Sequence, residues 1–334
     1  MKTKLVLFTV LIVLVSKSFL SADYVKGYMI PEYYVVSDQN NEKLSGQHGF
    51  WIRRIYFGYN SKFGNGWSAR VRFEMNSPSY GESKMVPFVK NAHLKKKFNG
   101  GLALLIGIIE PPSFNKVEKF WGLRYIEKTA PDFWKQASSR DFGIAVDGKL
   151  KGGFVYTFMY GNYGSNKGED NTGKGVYGRF GYAKKSLYLE ANAHYANDGS
   201  KNKLFFHIFG GLKGNWGRFG VGYSSYTQKE EGKSNFNNGI ISVFGAVKFG
   251  KKSEAFARYD ILGDLNHKNI SGYIPIPAKS EKARMVIAGL NFKIHKRINI
   301  SPNVKYIHYA GSGLKGDLYF NITAKVSFKS KFEK

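Results

Sequence analysis

The residues with the clearest chemical potential are basic side chains that recur at every second position. In the segment 67–76, Arg70 and Arg72 alternate with the apolar residues Ala69 and Val71. This alternation places the two sets on opposite faces of a β-strand. Guanidinium groups bind carboxylates and phosphates through fork-shaped donors, and ammonium groups act as point charges. Such a strand face predicts an anion-binding surface.

Motifs for enzymatic chemistry are sparse. The chain contains neither Gly-x-Ser-x-Gly nor His-Glu-x-x-His, it has no cysteine, and its seven histidines lack metal-ligand spacing. The segment 168–175 approaches a phosphate-binding loop, but Gly175 stands where a magnesium-binding Ser or Thr is required. We therefore expect no enzymatic activity, no catalytic residue, no metal site and no cofactor. An inward-facing His93 or His194 leaves hydrolysis open as an alternative.

The elements that carry the basic faces are sixteen segments with a two-residue period, bounded by Gly, Asn, Asp and Lys. A soluble sheet with one wet face would give the same alternation in any single segment. Sixteen is an even number, however, and no long amphipathic helix or linker separates the segments. The pattern predicts one all-β domain, a transmembrane antiparallel β-barrel of about 16 strands. The predicted strands are 24–37, 48–63, 67–77, 86–99, 101–112, 140–151, 153–162, 174–184, 186–197, 203–213, 217–229, 239–250, 253–263, 282–295, 297–309 and 316–332.

The first 22 residues have a different composition. Lys2 and Lys4 precede an apolar run from Leu5 to Val15, which is typical of a secretory signal peptide. We expect a signal peptide at 1–22 and a barrel domain at 23–334, exported to the outer membrane of a Gram-negative cell. Without the signal peptide the net charge falls from +27 to +24, because that segment contains three lysines and no acid.

An excess of positive charge favours anionic partners. Nucleic acid, an anionic lipid surface and small anions all fit, and a barrel fold favours membrane lipid and small anions over nucleic acid. Because acids are fewer than bases on the wet strand faces, we expect the lumen to attract anions. Pairing of the bases with Glu74, Glu190 and Asp260 is the alternative. The predicted lining positions on the strands are Arg54, Arg70, Arg72, Lys95, Arg179, Arg258, Lys305 and Lys325.

The longest irregular stretch runs from Ser113 to Ser139 and contains Trp121, Trp134 and Pro131. Its apolar content is enough for it to pack against the rest of the protein. A loop folded into the lumen and a loop capping the rim are both consistent with its composition. Folded inward, the loop would bring Arg124 and Lys128 to the channel.

Several segments resemble the phosphate-selective porin O and P family of Gram-negative outer membranes. They occur in order along nearly all of the mature chain. The segments are GFWIRRIYFGYNSKFGNGWSARVRFE (49–74), LLIGIIEPPSF (104–114), YIEK (125–128), RDFGIAVDG (140–148), YGRFGY (177–182), EAFARYDILGD (254–264) and AGLNFKIHKRINISPNVKY (288–306).

The resemblance implies a 16-stranded barrel, commonly a homotrimer, with an inward-folded loop and a basic constriction. By position, Arg54 would be the lumen-facing member of the paired-Arg strand, and Arg140 would anchor the return from the long loop. Arg258 and Asp260 would occupy the Arg-Tyr-Asp strand. This chain departs from the family at Glu110, where relatives often carry Lys, and at Lys128, where they often carry Arg.

Together these features predict a water-filled, anion-preferring diffusion channel for small hydrophilic solutes, with phosphate as the expected substrate. Two alternatives have the same fold. One is a barrel enzyme that hydrolyses lipid or peptide, and the other is a surface-binding barrel with a plugged lumen.

Overall fold

The computed structural model describes residues 23–76, 85–169, 172–197, 199–263, 274–275, 277, 282–311 and 313–332. Sixteen antiparallel strands form one closed ring, in which each strand pairs with its neighbour in sequence and β1 closes the ring against β16. The predicted all-β barrel is therefore confirmed. The predicted signal peptide at 1–22 lies outside the described residues.

The strands and two short helices have the following bounds. The strands are β1 Tyr24–Asp38, β2 His48–Gly64, β3 Trp67–Asn76, β4 Pro87–Lys97, β5 Ala103–Ile109, β6 Asp141–Lys149, β7 Phe154–Gly161, β8 Lys174–Lys184, β9 Leu187–Asn197, β10 Lys201–Gly214, β11 Gly217–Glu230, β12 Phe236–Lys248, β13 Ser253–Leu262, β14 Lys282–His295, β15 Ile298–Ala310 and β16 Asp317–Lys331; the helices are α1 Asn115–Trp121 and α2 Ala130–Phe133. Neither helix is long and apolar enough to cross a membrane.

Connections at the two ends of the barrel differ in length. Tight turns join β2 to β3, β4 to β5, β6 to β7 and β8 to β9, where the predicted strands also leave only short gaps. The opposite end carries longer connections, among them those from β1 to β2, β5 to β6 and β7 to β8. The connection from β11 to β12 is shorter than predicted, because the two strands extend to Glu230 and from Phe236. The predicted loops 78–85 and 264–281 lie largely outside the described residues.

The outer face of the barrel is apolar. Phe158, Phe180, Leu204 and Ile322 alternate with inward residues and leave half or more of their surface exposed. Exposed side chains of this kind, on a sheet without open edges, suit a lipid environment.

The connection between β5 and β6 folds into the barrel and carries both helices. We call residues 110–140 the inner loop. Its side chains Trp121, Ile126 and Phe133 are almost wholly buried. The structure thus supports the inward-folded alternative over a loop that caps the rim.

Candidate functional site

The inner loop packs against one wall of the barrel. The ring of Trp121 meets Phe244 at 5.0 Å and Phe256 at 6.0 Å, both edge-on, and Phe120 contacts Phe209. The same core includes inward apolar residues of β12 to β16, among them Ile240, Met285, Ile287, Ile307 and Tyr319. Burial of large apolar side chains stabilises this arrangement by roughly 1.5–3 kcal/mol for each residue. The loop therefore fills the part of the lumen next to β10–β16.

Basic side chains from the wall hold the backbone of the loop. Arg218 Nε donates to the carbonyl oxygen of Trp121 at 2.7 Å, and Arg53 Nη1 donates to that of Ile126 at 2.7 Å. Arg258 donates to the carbonyl of Lys128. These bonds satisfy buried carbonyls that no regular element would satisfy. The loop is thus fixed at three points along its length.

Two β-bulges turn additional bases inward. In the β1–β2 ladder Arg54 pairs with Ile30 and Ile52 pairs with Pro31, so Arg53 is the extra residue. In the β3–β4 ladder the register likewise shifts, so that no residue of β3 lies directly opposite Lys90. A bulge puts two consecutive side chains on one face. Arg53 and Arg54 both point inward for this reason, whereas strict alternation predicts only Arg54.

The space between the inner loop and the opposite wall forms a polar passage. Two adjoining cavities of about 390 and 270 Å³ share Lys26, Arg70, Glu110, Asn115 and Lys119. Strands β1 to β8 supply one side of the passage, and the inner loop with α1 supplies the other. Ten basic side chains line it, against three acids: Lys26, Lys62, Arg70, Arg72, Lys90, Lys95, Lys116, Lys119, Arg124 and Arg179 against Glu110, Glu118 and Asp147.

Most of these bases lack a close counter-ion. Arg72 lies 3.4 Å from Glu110 and Lys95 lies 3.9 Å from Asp147, while Lys90 pairs with Glu74 and Arg124 with Glu118. The other six lie farther than 4 Å from any carboxylate in the part of the chain that the structure describes: Lys26, Lys62, Arg70, Lys116, Lys119 and Arg179. The passage therefore carries a net positive charge.

Five of the predicted residues line this passage: Arg70, Arg72, Lys95, Arg124 and Arg179. Three others face inward as predicted but are covered by, or belong to, the packed loop. Arg258 is 2% exposed and bound to Asp260, and Lys305 is 1% exposed and lies 2.9 Å from Glu127. Lys128 lies 3.9 Å from Asp132 within the loop. Their charges stabilise the loop instead of meeting open space.

The last three predicted residues lie at the edges of the loop. Arg54 pairs with Glu74 at 3.0 Å. The guanidinium of Arg140 lies 4.8 Å from the centre of the Phe88 ring, and the ammonium of Lys325 lies 5.1 Å from that of Tyr28. Cation–π contacts of this kind orient a base without neutralising it.

Sequence reasoning missed several residues of the site. Lys26 sits on β1 among Tyr and Met, where alternation is weak, although position 26 has the inward register of Tyr24 and Tyr28. Lys116 and Lys119 lie on α1 and share a helix face at a spacing of three residues. This three-residue spacing could have indicated a shared face only if helix α1 had been predicted from the sequence.

Glu110 is the acid at the centre of the passage. Burial disfavours its charged form, but the nearby bases Arg72, Lys119 and Arg70 outweigh burial and lower the pKa of the carboxyl. Burial and the neighbouring Arg179 and Lys119 lower the pKa of Lys116. The site therefore keeps an ionised carboxylate within a surplus of bases.

The inward histidines have packed surroundings. His194 is buried, with ring contacts of 4.7 Å to Tyr177 and 4.8 Å to Phe205. His93 borders the passage beside Arg70. Within the described residues no group of three or more His, Asp or Glu side chains is arranged to hold a metal ion.

No protein-family model matches the sequence, and no curated protein matches it. Solved structures do match the fold. The outer-membrane protein OmpT of Vibrio cholerae has 14% sequence identity and a TM-score of 0.67, and the match covers 92% of this chain and 99% of that chain. One structure of the same protein is a trimer form.

Two further structures match to a similar degree. An anion-selective porin from Comamonas acidovorans has 13% identity and a TM-score of 0.67, over 92% of this chain and 100% of that chain. The outer membrane channel DcaP of Acinetobacter baumannii has 13% identity and a TM-score of 0.65, over 93% and 99%. The chain therefore has the fold of Gram-negative outer-membrane porins, and its apolar exterior fits an outer-membrane location.

Proposed function

We propose that this protein is an outer-membrane porin that forms a water-filled, anion-preferring diffusion channel for small hydrophilic solutes. The main observation in support of this proposal is the passage between the inner loop and the wall, which is lined by ten bases and three acids. In this proposal residues 1–22 direct export and are then removed.

The arrangement of charge supports anion preference. Arg70 on the wall and Lys119 on α1 line the same section of the passage from its two sides, and neither has a carboxylate within 4 Å among the residues described. A narrow path screens charge less than bulk water does, so bases on both sides lower the energy of an anion and raise that of a cation.

Phosphate is the proposed physiological solute. Arg70 and Arg72 occupy the same face of β3 two residues apart, a separation of about 7 Å along the strand. Two guanidinium groups at this spacing can donate to the oxygens of one oxyanion in succession. The resemblance to phosphate-selective porins supports the same solute. A homotrimer is the proposed assembly, supported by the trimer form of a protein with the same fold.

Recordings from single channels in planar lipid bilayers test the proposal. We expect steady conductance of the wild-type protein. Across a KCl gradient, the reversal potential should have the same sign as the equilibrium potential of chloride. Addition of phosphate should reduce the chloride current, because the two anions compete for the same bases. A reversal potential of the sign set by potassium would refute anion preference.

The two alternative functions predict different results. A barrel plugged by its inner loop would insert into the bilayer without steady conductance. A barrel hydrolase would release product from lipid or peptide, and this activity would depend on one His or acid. If added phosphate leaves the chloride current unchanged while the reversal potential keeps the sign set by chloride, the proposal is limited to a general anion channel.

A further inference from the structure

The lipid-facing wall of the barrel carries an apolar groove across β14, β15, β16 and β1. It has a volume of about 510 Å³. Ala288 and Val304 lie opposite each other on neighbouring strands, and Phe320 and Ile322 continue the surface onto β16. Tyr33 and Val35 close the groove on β1. We call these six residues the wall groove.

Two bases stand on the same outer face, toward the end of the barrel that carries the long loops. Arg284 on β14 pairs directly with His308 on β15, and both side chains are exposed. Arg284 lies four residues before Ala288 on β14, and His308 lies four residues after Val304 on β15. Four residues correspond to about 13 Å along a strand. The residues between them and the groove on this face are Val286 and Tyr306.

Arg284 carries a positive charge on the lipid face, and the imidazole of His308 can donate a hydrogen bond beside it. A base on the lipid face of a barrel is tolerated close to the interface, where an anionic headgroup can pair with it. Neither Arg284 nor His308 has a carboxylate within 4 Å among the described residues. Lys174, another outward base at this end, does have one, because it lies 2.8 Å from Glu169.

We infer that Arg284, His308 and the wall groove together bind a phosphorylated lipid of the outer leaflet. The phosphate would lie between Arg284 and His308, where the guanidinium pairs with its charge and the imidazole N–H donates to one of its oxygens, and an acyl chain would lie along the groove. The long loops of outer-membrane barrels face outward, so the pair is at the depth of the outer-leaflet headgroups. The site lies outside the barrel and does not depend on the proposed channel, although it does depend on the outer-membrane location.

The test measures the affinity of the detergent-solubilised protein for lipid A, which carries both phosphates and acyl chains. A base near a charged membrane surface changes affinity by roughly fivefold. We expect Arg284→Gln to weaken binding by about fivefold and R284Q/H308Q to weaken it further. Ala288→Trp, which fills the groove and keeps both bases, should also weaken binding.

Two controls separate this site from general attraction to a basic protein. Lys229→Gln removes an exposed base of the same outward register at the end of β11, away from the groove, and should leave the affinity unchanged. Lipid A without phosphate should bind R284Q/H308Q and wild type equally. Channel conductance should not change in R284Q/H308Q, so that failure of this proposal is distinct from failure of the channel proposal.

Three results would overturn the inference. The first is equal lipid A affinity of wild type and R284Q/H308Q. The second is equal affinity of wild type for lipid A with and without phosphate. The third is efficient disulfide-linked dimer formation by Val304→Cys in membranes, because the chain has no other cysteine and a second copy would then cover the groove.

Discussion

Arg53 and Arg54 are neighbours in sequence, yet both side chains point into the barrel. The bulge in β2 makes Arg53 the extra residue of the β1–β2 ladder and directs it to the carbonyls of Tyr125 and Ile126, while Arg54 reaches Glu74 at 3.0 Å. One base thus holds the inner loop, and the other belongs to the ion-pair network of the wall.

Loss of Arg53 should loosen the inner loop. Arg53→Gln removes a buried charge that lies 3.8 Å from both Glu32 and Glu127, and it leaves two loop carbonyls without a donor. Removal of one member of a buried charge cluster costs about 3 kcal/mol or more. We expect a decrease of that size in the free energy of unfolding in urea, together with noisier channel currents. Arg53→Lys keeps the charge and should recover part of the loss; full stability of R53Q would show that the bulge is not a loop anchor.

Charge reversal in the passage should change selectivity without changing the fold. Arg70→Glu with Arg72→Glu replaces two bases of the wall by acids, in a passage that has ten bases and three acids. The reversal potential across a KCl gradient should move toward potassium. The same change at Lys229, on the outer face of β11, is the matched control and should have no effect. An unchanged potential in R70E/R72E would remove this strand from the selectivity filter.

The strand pattern was accessible from sequence because each strand of the barrel has one lipid face and one wet face. Segments such as 174–184 and 282–295 were predicted with the bounds that the structure has. Strand ends without a clear change of polarity, as at Phe236, were placed less well. The period of two is a local property, so it can be read without knowledge of the fold.

The site was less accessible because the inner loop decides which inward bases meet open space. Arg258 and Arg179 have the same inward register, but the loop covers Arg258 and leaves Arg179 beside the passage. No periodicity in the sequence distinguishes the two. The bulges at Arg53 and Lys90 break the alternation on which the prediction rests, and their position is set by cross-strand pairing.

Trp121 should be the main apolar anchor of the inner loop. Its side chain is wholly buried against Phe244 and Phe256, and Nε1 donates to the carbonyl of Glu127 at 3.1 Å. Truncation of a buried Trp costs about 3–5 kcal/mol. We expect Trp121→Ala to release the loop from the wall and give larger, fluctuating single-channel currents. Trp216→Ala, at an exposed turn, is the control and should conduct like wild type; identical currents in both variants would place the anchor elsewhere.

Glu110 should remain charged in weakly acidic solution. Burial opposes its ionisation, but Arg72, Lys119 and Arg70 lower the pKa of its carboxyl below its usual range. Its contribution to stability is therefore complete above the unfolded pKa of about 4.3 and is lost as the pH falls through the lower folded pKa. The same proton makes the passage more positive. Wild-type anion preference should thus increase only in strongly acidic solution.

Comparison with Glu110→Gln isolates this group from the other acids of the passage. At pH 7 the variant should prefer anions more strongly than wild type, because one of three acids has been neutralised. The difference between the two reversal potentials should stay constant from pH 8 to about pH 5 and close at lower pH, where wild-type Glu110 takes up its proton. A difference that closes between pH 6 and pH 5 would mean that the surrounding bases do not hold the carboxylate in its charged form, and that the field of the passage is weaker than its lining indicates.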